Sequence, residues 1–251
     1  MPAPRSTSPP QATRRDRHRQ ATTEEIKAVA HRQLADHGPA ALSLRAIARE
    51  MGMASSGLYR YFASADDLIS ALCVDAYNAA ADALTAARDA QPPDQPAGQW
   101  WAICHAYRRW SLDHRPEFTL IFGTPLPGYR ARDQATGPAA SRLTAVALDV
   151  YAAAVHAGAA DPDRTQVPPT AQIGDLMHDL LDRAAAHHPP RLAAVVLTAW
   201  ASLLGYLVAE IFGSLPRLID DTDQLYRAHL RTVMLGMGFH HTDIQAAEAQ
   251  H

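Results

Sequence analysis

Residues 55–68 read SSGLYRYFASADDL, and this stretch places a glycine inside what looks like a two-turn helix, with another helix starting at once. A glycine in a helix costs about 1 kcal/mol relative to alanine, so its presence needs a reason. On a helical wheel, Leu58 and Phe62 form an inward-facing i,i+4 pair. Ser56 and Arg60 fall on the opposite side. The stretch predicts an amphipathic helix with an unusually bare outer face.

The residues that flank this outer face carry hydroxyl groups, except for one glycine. Ser55 and Tyr59 lie on one side of it, and Gly57 and Tyr61 on the other. Hydroxyl and guanidinium groups bond to phosphates and base edges. Gly57 also lacks the Cβ that would hold the backbone away from a duplex. The pattern predicts a helix that lies against DNA, and the alternative is an ordinary solvated face.

A second short helix precedes this one at a fixed distance. Ser43 is the expected cap of the segment LRAIAREM, in which Arg45 lies on the face opposite Leu44 and Ile47. A short turn that begins at Gly52 separates the two helices. A helix, a brief glycine turn and a second helix form the helix-turn-helix arrangement.

The charge of the chain is distributed unevenly. Of 23 Lys and Arg and 26 Asp and Glu, residues 1–62 hold ten and five, which leaves this part at +5 and the remainder at −8. A basic segment on an acidic body suggests a polyanionic partner for that segment alone. A solubilising tail would have the same charge.

The composition indicates a helical protein without a cofactor. The 251 residues are 47% hydrophobic and rich in alanine, and no period-2 alternation is long enough for a strand. The two cysteines fit no metal or redox spacing, and no nucleophile elbow, phosphate loop or zinc-binding pair is present, so neither a metal site nor an enzyme is expected.

The N-terminus lacks a signal peptide, which predicts a cytoplasmic location. The uncharged run of residues 192–209 suits a buried helix or a membrane contact, and we favour the buried helix.

Residues 42–72, LSLRAIAREMGMASSGLYRYFASADDLISAL, resemble the DNA-binding domain of the tetracycline-repressor (TetR) family. The most specific part is Gly-Leu-Tyr-x-Tyr-Phe followed by a serine and a helix start. The resemblance implies a homodimeric regulator, usually a repressor, that binds a double-stranded DNA operator and a small-molecule effector. It also implies DNA contacts from the matched positions Ser43, Arg45, Ser55, Ser56, Gly57, Tyr59, Arg60 and Tyr61. One position departs from the family, because Ala65 stands where lysine is frequent.

The expected architecture is all-α. It comprises a disordered basic arm (1–21), a helix-turn-helix domain (22–64), a helical ligand-binding and dimerisation domain (65–240) and a flexible tail (241–251). Thr22 or Thr23 is expected to cap the first helix. A helical small-molecule-binding or adaptor protein with a weakened DNA-binding head, or a transcriptional activator, remains an alternative to a repressor.

The second domain offers candidates for two further sites. Residues that could line an effector pocket, or simply form a core, are Trp100, Cys104, Tyr107, Trp110, Phe118, Phe122 and Met177. Helices 190–212 and 221–237 are expected to form a four-helix dimer interface. The seam proposed on the first of these helices consists of Leu192, Val196, Ala199, Leu203 and Tyr206.

Overall fold

The protein is described here by a computed structural model that covers residues 13–38, 42–123, 133–168, 173–183 and 188–250. In these ranges the regular elements are helices, and an isolated bridge between Ala160 and Phe239 is the sole β-type pairing. The all-α class predicted from the sequence is confirmed. The α-helices are α1 (Arg14–His37), α2 (Leu44–Glu50), α3 (Ser55–Leu58), α4 (Ala65–Asp89), α5 (Pro96–Asp113), α6 (Arg115–Phe122), α7 (Asp133–His156), α8 (Asp175–Arg183), α9 (Pro190–Ile211), α10 (Thr222–Gly236) and α11 (His241–Ala249).

The chain divides into two compact units between Leu68 and Ile69. The first unit contains α1 to α3 and the first turn of α4, and the second contains the remainder. The division falls four residues after the predicted boundary, and the fully buried Leu68 belongs to the first unit. The core of the first unit includes Ile26, Leu34, Ile47 and Leu58, each at most 2% exposed.

The first helix starts earlier than the sequence interpretation placed it. α1 begins at Arg14, and Thr13 forms a reciprocal capping box in which its hydroxyl accepts from Asp16 N at 3.2 Å. Thr22 and Thr23, the predicted caps, lie inside the helix, and their hydroxyls donate to carbonyl groups four residues earlier. The prediction of a disordered arm is therefore wrong for residues 14–21, whereas residues 1–12 lie outside the described part.

Helix α5 is central to the second unit. It packs against α6, α7, α9 and α11. Trp100 and Trp101 near its start are fully buried, and Trp100 lies edge-on to Tyr151. The hydroxyl of Tyr151 donates to the carbonyl of Met237 at 2.7 Å, so this buried polar group is satisfied. Aromatic side chains of several helices thus form a continuous core.

The predicted flexible tail is wrong for residues 241–249. They form α11, which packs against α5 and buries Ile244 and Ala247. The segment that leads into this helix contains Gly238. Its φ of +86° is one that residues with a side chain rarely adopt, and a Cβ added there would lie 2.1 Å from the carbonyl oxygen of Asp161. The final segment therefore belongs to the folded unit.

An ion pair links α5, α9 and α10. Arg108 bonds bidentately to Glu210, with Nη2 to Oε1 at 2.6 Å and Nε to Oε2 at 2.8 Å. Its Nη2 also contacts Asp223 at 2.6 Å, and the guanidinium lies 4.9 Å from the ring centroid of Tyr226. Burial opposes the charge, but hydrogen bonds to Glu210 and Asp223 outweigh it and raise the pKa of Arg108 above its ordinary value. Three helices are thus joined by a network whose inner pair, Arg108 and Glu210, is largely buried.

Candidate nucleic-acid interface and effector cavity

The turn after α3 completes the amphipathic segment predicted from the sequence. Helix α3 itself ends at Leu58, but Phe62 N still donates to the carbonyl of Leu58 at 3.1 Å, so the chain continues to coil. Leu58 and Phe62 are buried. Ser56 and Arg60 are exposed on the other side. The expected inner and outer faces are therefore present, although the regular helix has one turn rather than two.

The other residues of the predicted DNA surface also have side chains within reach of solvent. Ser55 and Arg45 are exposed, Tyr59 is 48% exposed, and Gly57 and Tyr61 are half-buried. Ser43 is half-buried, and its hydroxyl accepts from Ala46 N at 3.5 Å as the cap of α2. Contacts of these residues with DNA stay predictions.

No contact in the described part of the chain requires glycine at position 57. Its φ is not positive, and an added Cβ would meet only the methyl group of Met53 at 3.5 Å, an ordinary contact. Alanine would therefore fit and would favour helix formation. Contacts among the described residues therefore do not explain the glycine.

Helix α1 adds arginines next to this surface. Arg14, Arg15, Arg17 and Arg19 lie on its first turns and are exposed. Arg19 Nη2 donates to the carbonyl oxygen of Arg60 at 3.5 Å. The helical start of α1 is thus adjacent to the segment that follows α3.

The aspartates that follow Ala65 have a local structural role. Ser64 Oγ accepts from Asp67 N at 3.1 Å and so caps the start of α4. Asp66 and Asp67 lie in the first turn of α4, where the helix dipole favours negative charge. These carboxylates therefore stabilise the start of the helix.

The second unit contains an apolar cavity of about 230 Å³ between α4, α6, α7, α8 and α9. Phe122 and Met177, two of the predicted pocket residues, line it. The lining consists of Tyr77, Phe122, Ala140, Leu143, Thr144, Ala147, Leu148, Met177, Ala193, Val196, Leu197 and Trp200. The sequence interpretation missed Tyr77 and Trp200, because each lies on a helix where aromatic residues are isolated.

The other predicted pocket residues belong to the core around the cavity. Trp100, Cys104, Trp110 and Phe118 are at most 5% exposed, and none of them lines the cavity. Burial raises the pKa of the Cys104 thiol well above its usual value, so the thiol stays protonated. Tyr107 is also buried, in ring contact with two lining residues.

The predicted dimer seam requires a correction. Its five residues are at most 8% exposed, because this face of α9 packs into the protomer core. They are Leu192, Val196, Ala199, Leu203 and Tyr206. The positions of α9 outside the core include the exposed Leu197, Thr198, Ala201, Ser202 and Gly205 and the half-buried Ala194, Leu204, Val208 and Ala209.

Helix α9 is also the one stretch in the described part of the chain that is long and apolar enough to cross a membrane. Ten of its side chains are buried inside the protomer. A core helix of a globular unit has this combination of composition and burial.

Comparisons with known proteins agree with the two units. The family described as "Bacterial regulatory proteins, tetR family" matches residues 26–72, and "Tetracyclin repressor-like, C-terminal domain" matches residues 100–233. The HTH-type transcriptional regulator Rv1816 of Mycobacterium tuberculosis is 33% identical over 229 residues, which is 90% of this chain and 96% of that protein. The regulator Mb1846 of Mycobacterium bovis matches with the same identity and coverage.

Solved structures share the fold. The crystal structure of the regulatory protein SCO4313 aligns with a TM-score of 0.67 and 35% identity, over 88% of this chain and 99% of that one. A bacterial regulatory protein of the tetR family from Rhodococcus RHA1 aligns with a TM-score of 0.58 and 17% identity, over 87% of this chain and 97% of that one.

Proposed function

Since the chain belongs to the tetR family of bacterial transcriptional regulators, we propose that it is a homodimeric repressor that an effector releases from a palindromic operator. The observation that carries this proposal is the exposed surface of Ser56 and Arg60 above the buried Leu58 and Phe62. A guanidinium next to hydroxyls on a recognition segment is suited to contacts with guanine edges and phosphates in the major groove.

Dimerisation is supported by the outer face of α9. An added Cβ on Gly205 would meet nothing within 4 Å in the protomer, and alanine would be the better helix former there. Small residues at this face let a second helix approach closely. Ser202 Oγ lies 3.4 Å from His229 Nε2, so the outer face of α9 adjoins α10. We propose that these two helices pair with their symmetry mates.

A two-fold dimer determines the form of the operator. Its two recognition segments would enter successive major grooves about 34–36 Å apart, which requires a palindromic site. Such a protein acts at the chromosome in the cytoplasm. Pull-down of genomic fragments with the pure protein, followed by sequencing, tests this proposal. Enrichment without a shared palindrome would contradict it.

Effector response would operate through α4. Tyr77 on this helix lines the cavity, and the same helix begins at Ala65 in the first unit. A ligand that binds more tightly to one position of α4 than to another would shift the population of arrangements of the DNA-binding domains by its differential affinity.

A promoter–reporter strain in which the gene is deleted distinguishes a repressor from an activator. Derepression supports a repressor, and loss of expression supports an activator.

Arg60→Ala should lower the affinity for the selected fragment by about 1–3 kcal/mol, because it removes a direct base contact. Fluorescence anisotropy with labelled duplex measures the effect. Arg217→Ala is the matched control, since Arg217 is exposed in the second unit and should leave affinity unchanged. An unchanged Kd for Arg60→Ala would remove this residue from the proposed interface.

Gly57→Ala should separate fold stability from DNA binding. The Cβ fits inside the protomer, so thermal stability should be equal or higher, by up to about 1 kcal/mol. Operator affinity should fall roughly tenfold, because the methyl group would occupy space next to the duplex. Paired melting curves and anisotropy titrations measure both effects. Unchanged affinity would refute the close backbone approach.

A further inference from the structure

The first two turns of α1 extend beyond the core of the first unit. The side chains of residues 14–21 are all exposed, and the buried stripe of this helix begins at Ile26. These turns are nevertheless regular helix, which starts at the capping box of Thr13 and Asp16. They therefore present their side chains to solvent on a helix whose later turns are held in the core.

The exposed turns are strongly basic. Residues 14–19 contain four arginines and one aspartate, which gives a net charge of +3. The aspartate is Asp16, and its carboxylate accepts from the hydroxyl of Thr13 at 2.6 Å and from the backbone N–H of the same residue at 3.1 Å. Arg15 and Arg17 form no ion pair within the part of the chain that the structure describes. Their charges are therefore available to a polyanion.

One arginine shows which side of these turns lies next to the proposed DNA surface. Arg19 Nη2 lies 3.5 Å from the carbonyl oxygen of Arg60, whose own side chain is exposed on that surface. Around the axis of an α-helix, residues four apart differ by about 40°, whereas residues two apart differ by about 160°. Arg15 therefore lies one turn before Arg19 on the same side, and Arg17 lies on the opposite side. We call Arg15 and Arg19 the α1 basic face.

The first turn of α4, which follows the recognition segment in the chain, carries no cation. Ala65 is followed by Asp66 and Asp67, and carboxylates repel phosphate oxygens. The α1 basic face, by contrast, supplies two guanidinium groups beside the same segment. Although Arg19 already donates to a carbonyl group, a guanidinium has five N–H donors, so others remain for a phosphate.

From these observations, and resting on the function proposed above, we propose that the α1 basic face is a second DNA-contacting element. Arg15 and Arg19 each contact a backbone phosphate beside the major groove that receives the α3 segment. A guanidinium forms strong hydrogen bonds with phosphate oxygens, and the contact releases condensed counterions. Phosphate contacts position the protein without reading bases, so this face contributes affinity for duplex DNA of any sequence.

Salt titrations of the full-length protein test this contact. Fluorescence anisotropy measures binding to the selected genomic fragment and to a duplex of random sequence and equal length, at several salt concentrations. Each phosphate contact contributes about 0.9 to the slope of log K against log salt concentration. Arg15→Gln removes one contact from each protomer, so the slope for a dimer should become shallower by about two. At about 0.1 M salt, the affinity for both duplexes should fall roughly 10- to 100-fold.

Arg17→Gln is the matched control, because it removes the same charge from the same turns on the opposite side. Its affinity and its salt slope should stay close to those of the wild type. Both arginines are exposed, so neither variant should change the melting temperature. Arg60→Ala provides the contrast, since the loss of a base contact should weaken binding to the selected fragment more than binding to the random duplex.

Three results would overturn the contact while leaving the regulator function intact. They are an unchanged salt slope for Arg15→Gln, equal effects of Arg15→Gln and Arg17→Gln, and a loss of affinity confined to the selected fragment, which would indicate base readout instead of a phosphate contact. Wild-type protein that binds neither duplex would refute the regulator function itself. The wild-type titration therefore separates failure of the proposed function from failure of this inference.

Discussion

Ala201→Glu should convert the protein into a monomer and lower its operator affinity by about two to four orders of magnitude, because a single head loses the gain from binding two half-sites at once. Ala201 lies at the centre of the exposed outer face of α9 and belongs to its small side chains. A two-fold axis would bring two added carboxylates together in a desolvated contact. An unpaired buried charge is among the most destabilising changes for an interface.

Ala246→Glu is the control for this experiment. It makes the same substitution at an exposed alanine of α11, on a different face of the second unit. Analytical ultracentrifugation should give a dimer for the wild type and for Ala246→Glu, and a monomer for Ala201→Glu. A dimer in the Ala201→Glu protein would place the interface elsewhere. A fall in melting temperature common to both variants would indicate general destabilisation instead.

The same helix marks the limit of sequence-based reasoning about this fold. The extent of α9 was predictable, since Pro190 starts it and its apolar run is continuous. Which face is buried was not predictable, because a helix that is apolar all round has no periodicity to orient it. The predicted seam, from Leu192 to Tyr206, therefore fell on the core side.

The structure of the first unit was easier to predict from the sequence, because residues close together in the chain determine its helix caps and buried faces. The pair Leu58 and Phe62 determines which side of the segment faces inward, and the cap at Ser43 determines where α2 starts. The start of α1 was also encoded locally, by Thr13 and Asp16, but aspartate in place of glutamate in the capping box made the signal weak. The cavity was less accessible, since Tyr77 and Trp200 converge from helices distant in sequence.

Glu210→Ala should strongly destabilise the second unit. It leaves Arg108, whose side chain is 11% exposed, without its bidentate partner, and breaking a buried pair in this way costs about 3–5 kcal/mol. Asp223 remains as a second partner, but its side chain is 70% exposed and compensates little. Urea denaturation followed by circular dichroism measures the loss.

A surface pair provides the matched comparison. Arg32 and Glu50 in the first unit approach to 2.9 Å, but their side chains are 60% and 42% exposed, so Glu50→Ala should cost much less stability than Glu210→Ala. The double variant Arg108→Met with Glu210→Met should recover most of the stability lost in Glu210→Ala, because both charges leave the interior together. Equal losses for Glu210→Ala and Glu50→Ala would mean that solvent screens the inner pair as well. The junction of α5, α9 and α10 would then depend on its apolar contacts alone.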